Sequence, residues 1–133
     1  VKILIADDHP IVREGLATVL SQEEGLEIVG QAANGAEAVS QATKLKPDIV
    51  LMDMQMPVMD GYEATRRIRE KGLNELPIIG LSANAMKEDH SQALENGMTD
   101  YLTKPLKRGK LSEMLKRYLH TESTERMLRS NRR

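Results

Sequence analysis

"IVLMDMQMPVMDG" (residues 49–61) decides how the rest of the chain is read. Four apolar residues run straight into Asp53, and a Met-rich loop with Pro57, Asp60 and Gly61 follows. A short apolar run bounded by turn residues reads as a buried strand. The stretch therefore ends a buried strand on a carboxylate, and the reason must lie in what other segments bring to the same place.

Four further runs read as strands: "VKILIA" (1–6), "LEIVGQAA" (26–33), residues 77–83 and, by its position alone, "DYLTKP" (100–105). Helical patterns lie between them. Ile11, Val12, Gly15, Leu16, Val19 and Leu20 share one face across residues 10–21. Further helices are expected near 35–45, 61–71, 86–96 and 107–119. Gly35, Gly72 and Gly97 serve as turn or cap signals, and Pro47 and Pro77 introduce strands. Strict alternation of strand and helix implies an α/β protein with a parallel sheet covered on both faces. Right-handed crossovers make it doubly wound. Five strands suggest the flavodoxin-like (βα)5 order 2-1-3-4-5.

The chain has 133 residues, 40% hydrophobic and 29% charged, as expected of one soluble domain. With three Tyr and no Phe or Trp, the core must come from Ile, Leu, Val, Met and Ala. The absence of Cys excludes disulfides and thiolate chemistry. Neither a membrane-length apolar run nor a signal peptide is visible, so the expectation is a cytoplasmic protein without a membrane partner. The missing initiator Met suggests trimming or a boundary inside a longer chain. Residues 1–106 carry 10 Lys and Arg against 17 Asp and Glu, whereas residues 107–133 carry 9 against 3. The basic end reads as a solvated helix followed by an extension or tail at 120–133. Without aromatics or a reading-helix motif, direct nucleic-acid binding is not expected.

A parallel sheet places the C-terminal ends of its strands on one edge. The first strand would deliver Asp7 and Asp8 there, the third Asp53, the fourth Ser82, and the fifth Thr103 and Lys104. In the 2-1-3-4-5 order, the first and third strands flank the switch point where such sheets bind ligands. Three carboxylates in one pocket call for a cation. With no Cys and no His placed as a strand-end ligand, oxygen donors favour a hard ion such as Mg²⁺. Asp53 then reads as a phosphoryl acceptor, because Asp can form an aspartyl-phosphate. Lys104 and Ser82 would hold the remaining phosphoryl oxygens. Blander readings exist for each residue. Asp7 and Asp8 are common types for capping a helix, Lys104 could be a structural ion-pair partner, and Tyr101 could merely pack. Met52, Met54, Met56 and Met59 read as packing, and His9, His90 and His120 as solvent-facing; a metal role for His9 is open to weighing because it follows Asp8, but entry into the helix would turn it away.

"ILIADDHP" (3–10), "IVLMDMQMPVMDG" (49–61), "PIIGLSAN" (77–84) and "DYLTKP" (100–105) together resemble the successive motifs of a response-regulator receiver domain of two-component signalling, over residues 1–119. The resemblance implies Mg²⁺-dependent phosphorylation of Asp53 by a sensor histidine kinase or phosphotransfer protein. It implies Mg²⁺ bound by Asp8, by Asp7 mainly through water, by Asp53 and by the backbone carbonyl of Gln55. Ser82 matches the switch Ser/Thr, Tyr101 the switch aromatic and Lys104 the invariant lysine, and the resemblance implies a cis Lys104–Pro105 peptide. The face formed by the fourth helix, fifth strand and fifth helix would change its partner preference, with a weak homodimer as one outcome. "DDHPIVREGL" (7–16) resembles receivers that carry a helix-turn-helix output domain. Residues 77–106 resemble receivers of hybrid histidine kinases, so the mixture implies a chimeric or designed sequence.

Three other functions compete. A haloacid-dehalogenase-type phosphatase needs a second Asp two residues after its nucleophile, where this chain has Gln55. A nucleotide-binding protein would need a Gly-rich phosphate loop after the first strand, and none follows. A phosphorylation-inert scaffold of the same fold is the remaining alternative. The expectation is a phosphoacceptor that assists its own chemistry, not an enzyme acting on other substrates.

Overall fold

The computed structural model describes residues 1–23, 25–83 and 87–119, with the side chains of 87–90 and 119 left aside. The expected extension at 120–133 lies outside the described residues. Strands and helices alternate as β1 (Lys2–Ala6), α1 (Pro10–Ser21), β2 (Glu27–Ala32), α2 (Gly35–Leu45), β3 (Ile49–Asp53), α3 (Gly61–Glu70), β4 (Ile78–Ser82), α4 (Lys87–Glu95), β5 (Asp100–Thr103) and α5 (Arg108–Leu119). All strand pairs are parallel, in the order β2-β1-β3-β4-β5. Fold class and strand order agree with the sequence expectation.

The two-residue period of a strand divides the core into two layers. Ile3, Ile5, Ile49, Leu51, Ile79 and Leu81 face one way and pack with Leu16 and Leu20 of α1 and Leu111, Met114 and Leu115 of α5. Leu4, Ala6, Val50, Met52 and Ile78 face the other way, toward Ala38 and Ala42 of α2, Ala64 and Ile68 of α3 and Ala93 of α4. Met52 and Met54 are buried, while Met56 and Met59 pack partly buried against this second layer, as the packing reading requires.

The loop after β3 is held by specific closures. Asp60 caps α3 by accepting the Glu63 N–H at 2.9 Å. Gly61 must be glycine, since a Cβ there would lie 2.2 Å from the Asp53 carbonyl oxygen. Asn34 caps α2, accepting from Glu37 N–H at 2.9 Å, while the Glu37 carboxylate accepts from Ala33 N–H at 2.8 Å. Gly35 is therefore the first residue of α2 and not its cap. Its close approach to the Met59 carbonyl locks the start of α2 to the loop that follows Asp53. Among the described residues, no helix is long and apolar enough to cross a membrane.

Candidate functional site

Parallel pairing aligns the strand ends. Asp53 closes β3 opposite Leu81 of β4, and the Asp7 N–H continues the β1–β2 ladder by bonding to the Ala32 carbonyl at 3.0 Å. The carboxylate-bearing ends of β1 and β3 thus sit side by side at the centre of the sheet's C-terminal edge. Asp7 is wholly buried, Asp53 is 4% exposed, and donor atoms of Asp7, Asp8, His9 and Asp53 lie within 4.8 Å of one another.

Lys104, delivered by the segment after β5, bridges two of these carboxylates. Its Nζ donates to Asp7 Oδ2 at 3.0 Å and to Asp53 Oδ2 at 3.2 Å. The Lys104–Pro105 bond is cis, as the resemblance implies. Ser82 is buried at the end of β4, beside Asp53's strand, and its carbonyl accepts the Lys104 backbone N–H at 2.7 Å. Gln55 N–H reaches Asp53 Oδ1 at 3.3 Å. Tyr101 lies on β5, half-buried against the layer formed with α2, α3 and α4. The geometry therefore gathers Asp7, Asp8, Asp53 and Lys104 into one cluster, with Ser82 at the end of the strand beside Asp53 and Tyr101 on the next strand out.

The charges are unequally settled. Burial pushes the Asp7 carboxyl up, but hydrogen bonds from the His9 backbone N–H and from Lys104 outweigh it and hold Asp7 below the usual carboxylate range. Asp53 goes the other way: burial, and then the Asp7 charge, raise it despite Lys104. Burial works against the Lys104 ammonium, yet its bonds to Asp7 and the field of both carboxylates hold its pKa above the ordinary lysine value. One ammonium thus serves two buried carboxylates and leaves the second under-compensated.

Asp8 supplies the test for a cation. Its Oδ1 is buried and has no hydrogen-bond partner. His9 Nδ1 stands 3.1 Å away, but that contact is an ion-pair distance without hydrogen-bond alignment. A buried carboxylate oxygen without a donor is costly, and a hard cation would satisfy it together with Asp7 and Asp53. The residues present fit a divalent ion.

Two features escaped the sequence reading. His9 is not turned away from the cluster. Its Nδ1 lies 2.9 Å from Asp7 Oδ1, although the ring is 62% exposed. The reason is that His9 is itself the N-cap residue of α1, in extended conformation and with no side-chain cap bond, so its ring folds back over the preceding residues. The signal was the run Asp-Asp-His before Pro10, which fixes where α1 begins. For the same reason neither aspartate caps α1. The second feature is Arg13, whose guanidinium donates to the Asp7 carbonyl and ties α1 to the end of β1.

The comparisons bear on this geometry. A family profile described as "Response regulator receiver domain" matches residues 3–116. The response regulator protein VraR of Staphylococcus epidermidis is 35% identical over 123 residues, covering 92% of this chain and 58% of VraR. The chain spans just over half the length of such curated relatives. Among solved structures, the receiver domain of a sensor histidine kinase from Pseudomonas aeruginosa, with a magnesium ion coordinated in its active-site cleft, has a TM-score of 0.80 and 39% identity, with 89% of this chain and 96% of that one covered. A two-component response regulator of the LuxR family from Aurantimonas has a TM-score of 0.84 and 32% identity, with 90% and 85% covered.

Proposed function

Because the chain belongs to the response regulator receiver domain family of two-component signalling, we propose that it is a phosphoacceptor switch in which Asp53 takes a phosphoryl group from a histidine kinase or phosphotransfer protein. The observation that carries this reading is the Lys104 bridge. A single ammonium spans Asp7 and Asp53 at 3.0 and 3.2 Å, with a buried, unpartnered Asp8 oxygen beside them. An inert ion pair has no use for the third carboxylate.

In the transfer step, an Asp53 carboxylate oxygen forms a bond to phosphorus while the donor's P–N bond breaks, and the leaving imidazole is neutralised by a proton. Asp7, Asp8 and Asp53, with the Gln55 carbonyl, would hold Mg²⁺, which when bound screens the incoming phosphoryl oxygens from the carboxylates and polarises them. Lys104 loses one of its two carboxylate partners when Asp53 becomes an acyl phosphate, which frees it to pair with a phosphoryl oxygen. The Ser82 hydroxyl, on the adjacent strand, supplies a second hydrogen bond. The end of β4 at Ser82 then draws toward the site, and Tyr101 follows. The chain acts as a phosphoacceptor in the cytoplasm and not as an enzyme on other substrates.

The experiment is intact mass after incubation with Mg²⁺ and acetyl phosphate, with Asp53→Ala alongside. One acid- and base-labile phosphoryl group on the parent and none on the variant is expected. A parent that stays unmodified while beryllofluoride leaves its NMR spectrum unchanged would show the inert scaffold instead.

A further inference from the structure

With no Cys, all sulfur in this chain is thioether, and among the described residues its accessible part is concentrated in one loop. Met52, Met54, Met98 and Met114 are buried, and the Met54 sulfur already accepts the Tyr62 hydroxyl at 3.3 Å. Met56 and Met59, in the loop that follows Asp53, are partly exposed, yet both pack against the layer that includes Ala38, Met52 and Ala64. The backbone around Met59 has little freedom to adapt. Its N–H bonds to the Pro57 carbonyl at 2.7 Å across Val58, which is held at a φ of 68°. Its carbonyl accepts the Gly35 N–H at 2.9 Å, and a Cβ on Gly35 would lie 2.8 Å from the Met59 Cβ. The loop closes a second time where the Gly61 N–H bonds to the Met54 carbonyl at 3.0 Å. Each of these two thioethers is thus open to an oxidant from water while seated in a packed layer that tolerates an apolar side chain and penalises a polar one.

Resting on the phosphoacceptor reading of Asp53 for its consequence, we propose that Met56 and Met59 form a reversible oxidation site through which oxidants of the peroxide class slow phosphorylation of Asp53. In the step itself the sulfur lone pair forms a bond to one peroxide oxygen and the O–O bond breaks. The hydroxide that leaves takes the proton of the new S–OH and departs as water. Sulfur is oxidised by two electrons, and hydrogen peroxide is the species reduced. The sulfoxide carries a strongly polar S–O group, which the apolar layer does not accommodate, so the side chain turns out to water. The layer loses a side chain at its edge, and the loop is drawn off its closures at Gly35 and Gly61. Asp53 and Gln55 head that loop, so the Gln55 N–H and the Asp53 carboxylate, which meet at 3.3 Å, lose their fixed separation.

The test treats the full chain with hydrogen peroxide at neutral pH and maps sulfoxides by peptide mass. It then reads the rate of mass gain with Mg²⁺ and acetyl phosphate, and the amide NMR shifts of Gly35 and Gly61, before and after reduction by methionine sulfoxide reductases A and B. The comparison is a double variant, Met56→Leu with Met59→Leu, which keeps the layer apolar at similar volume and has no thioether there to oxidise. Sulfoxide is expected at Met56 and Met59 ahead of Met52, Met54, Met98 and Met114. The parent's phosphorylation rate should fall about threefold or more, the Gly35 and Gly61 shifts should move, and the reductases should restore both. The double variant should start within about twofold of the parent rate and hold it under oxidant. Oxidation of the buried methionines at the same pace, unmoved Gly35 and Gly61 shifts, or a double variant that slows as much as the parent would each overturn the site. A parent that takes no phosphoryl group before oxidant overturns the Asp53 reading and the consequence drawn from it. The sulfoxide map and the two glycine shifts then still decide whether Met56 and Met59 are the oxidation site.

Discussion

Asp53 and Lys104 together make the stability of this domain depend on pH and on the charge at position 53. The Asp53 pKa is raised by burial and by Asp7, so ionised Asp53 opposes folding at neutral pH. Asp53→Asn removes that charge and leaves Lys104 paired with Asp7. The expected result is a melting temperature higher by about 3–5 °C at pH 7 without divalent ion, the shift that ~1 kcal/mol makes in a domain of this size, and calorimetry checks it. Lys104 carries the opposite charge, and its pKa is raised as well. A base whose folded pKa exceeds its unfolded value contributes stability that is complete below the unfolded pKa and is lost as pH rises through the folded one. The parent should therefore lose stability steeply in the alkaline range above pH 10.5, the ordinary lysine value. Lys104→Met should be less stable at neutral pH but should show a shallower alkaline limb. Tyr118, raised by burial and its bond to Asp100, adds to that limb in both proteins, so the comparison is between slopes. Equal slopes in denaturant titrations across that range would deny Lys104 its role between the carboxylates.

The elements were legible because each has a local cause. Short continuous apolar runs in the central strands, Pro10 opening α1, and Asp60 with Gly61 opening α3 all act within a few residues. Asp53 was legible as a candidate residue for the same reason, since a carboxylate ending an apolar strand stands out. What the chain order concealed are contacts between distant segments. Arg69 is the main case. This partly buried guanidinium, its pKa lowered by burial, donates to the carbonyls of Leu73, Leu76 and Gly97, at 2.7 Å in each case. Gly97 is 28 residues away in sequence, and its turn follows α4. Arg69 thereby pins the end of α3 to the start of β5, the strand that carries Tyr101. In sequence it is one of several arginines on an amphipathic helix. Arg69→Ala leaves three carbonyls without their donor and should cost on the order of 2–3 kcal/mol, measurable by denaturant unfolding. Gly61→Ala decides between two effects. Helix propensity alone would favour Ala by about 1 kcal/mol. A Cβ that would lie 2.2 Å from the Asp53 carbonyl forces the backbone to move, which costs about 1–3 kcal/mol and shifts Asp53 itself. The expected net effect is a destabilised domain that phosphorylates more slowly with acetyl phosphate, read by the rate of mass gain.

At the scale of the whole molecule, the uneven charge bears on association. The sequence pairs acidic residues of α4, Glu88, Asp89 and Glu95, with Lys107, Arg108, Lys110, Lys116 and Arg117 near and on α5. The side chains of Glu88 and Asp89 lie outside the described residues, while Glu95 is exposed. Two of the basic residues already have partners within the chain: Arg108 meets Glu23 at 3.2 Å, and Arg117 meets Asp100 at 3.5 Å. Such pairings are invisible in sequence, because they depend on how α5 packs against α1 and β5. Lys107, Lys110 and Lys116 remain exposed. In a two-fold dimer the same patch meets itself, so these lysines would face the partner's α4. Exposed pairs of this kind contribute about 0.2–1 kcal/mol each and are screened by salt. Three of them do not hold a dimer on their own. The expected behaviour is a monomer at micromolar concentration, with beryllofluoride strengthening association by rearranging the face of α4, β5 and α5. Sedimentation velocity should show the shift at low ionic strength and its loss at high salt. Lys107→Glu combined with Lys110→Glu should abolish it without altering phosphorylation of Asp53. A monomer under every condition would remove dimerisation as the output and leave the Asp53 chemistry to act through a different partner.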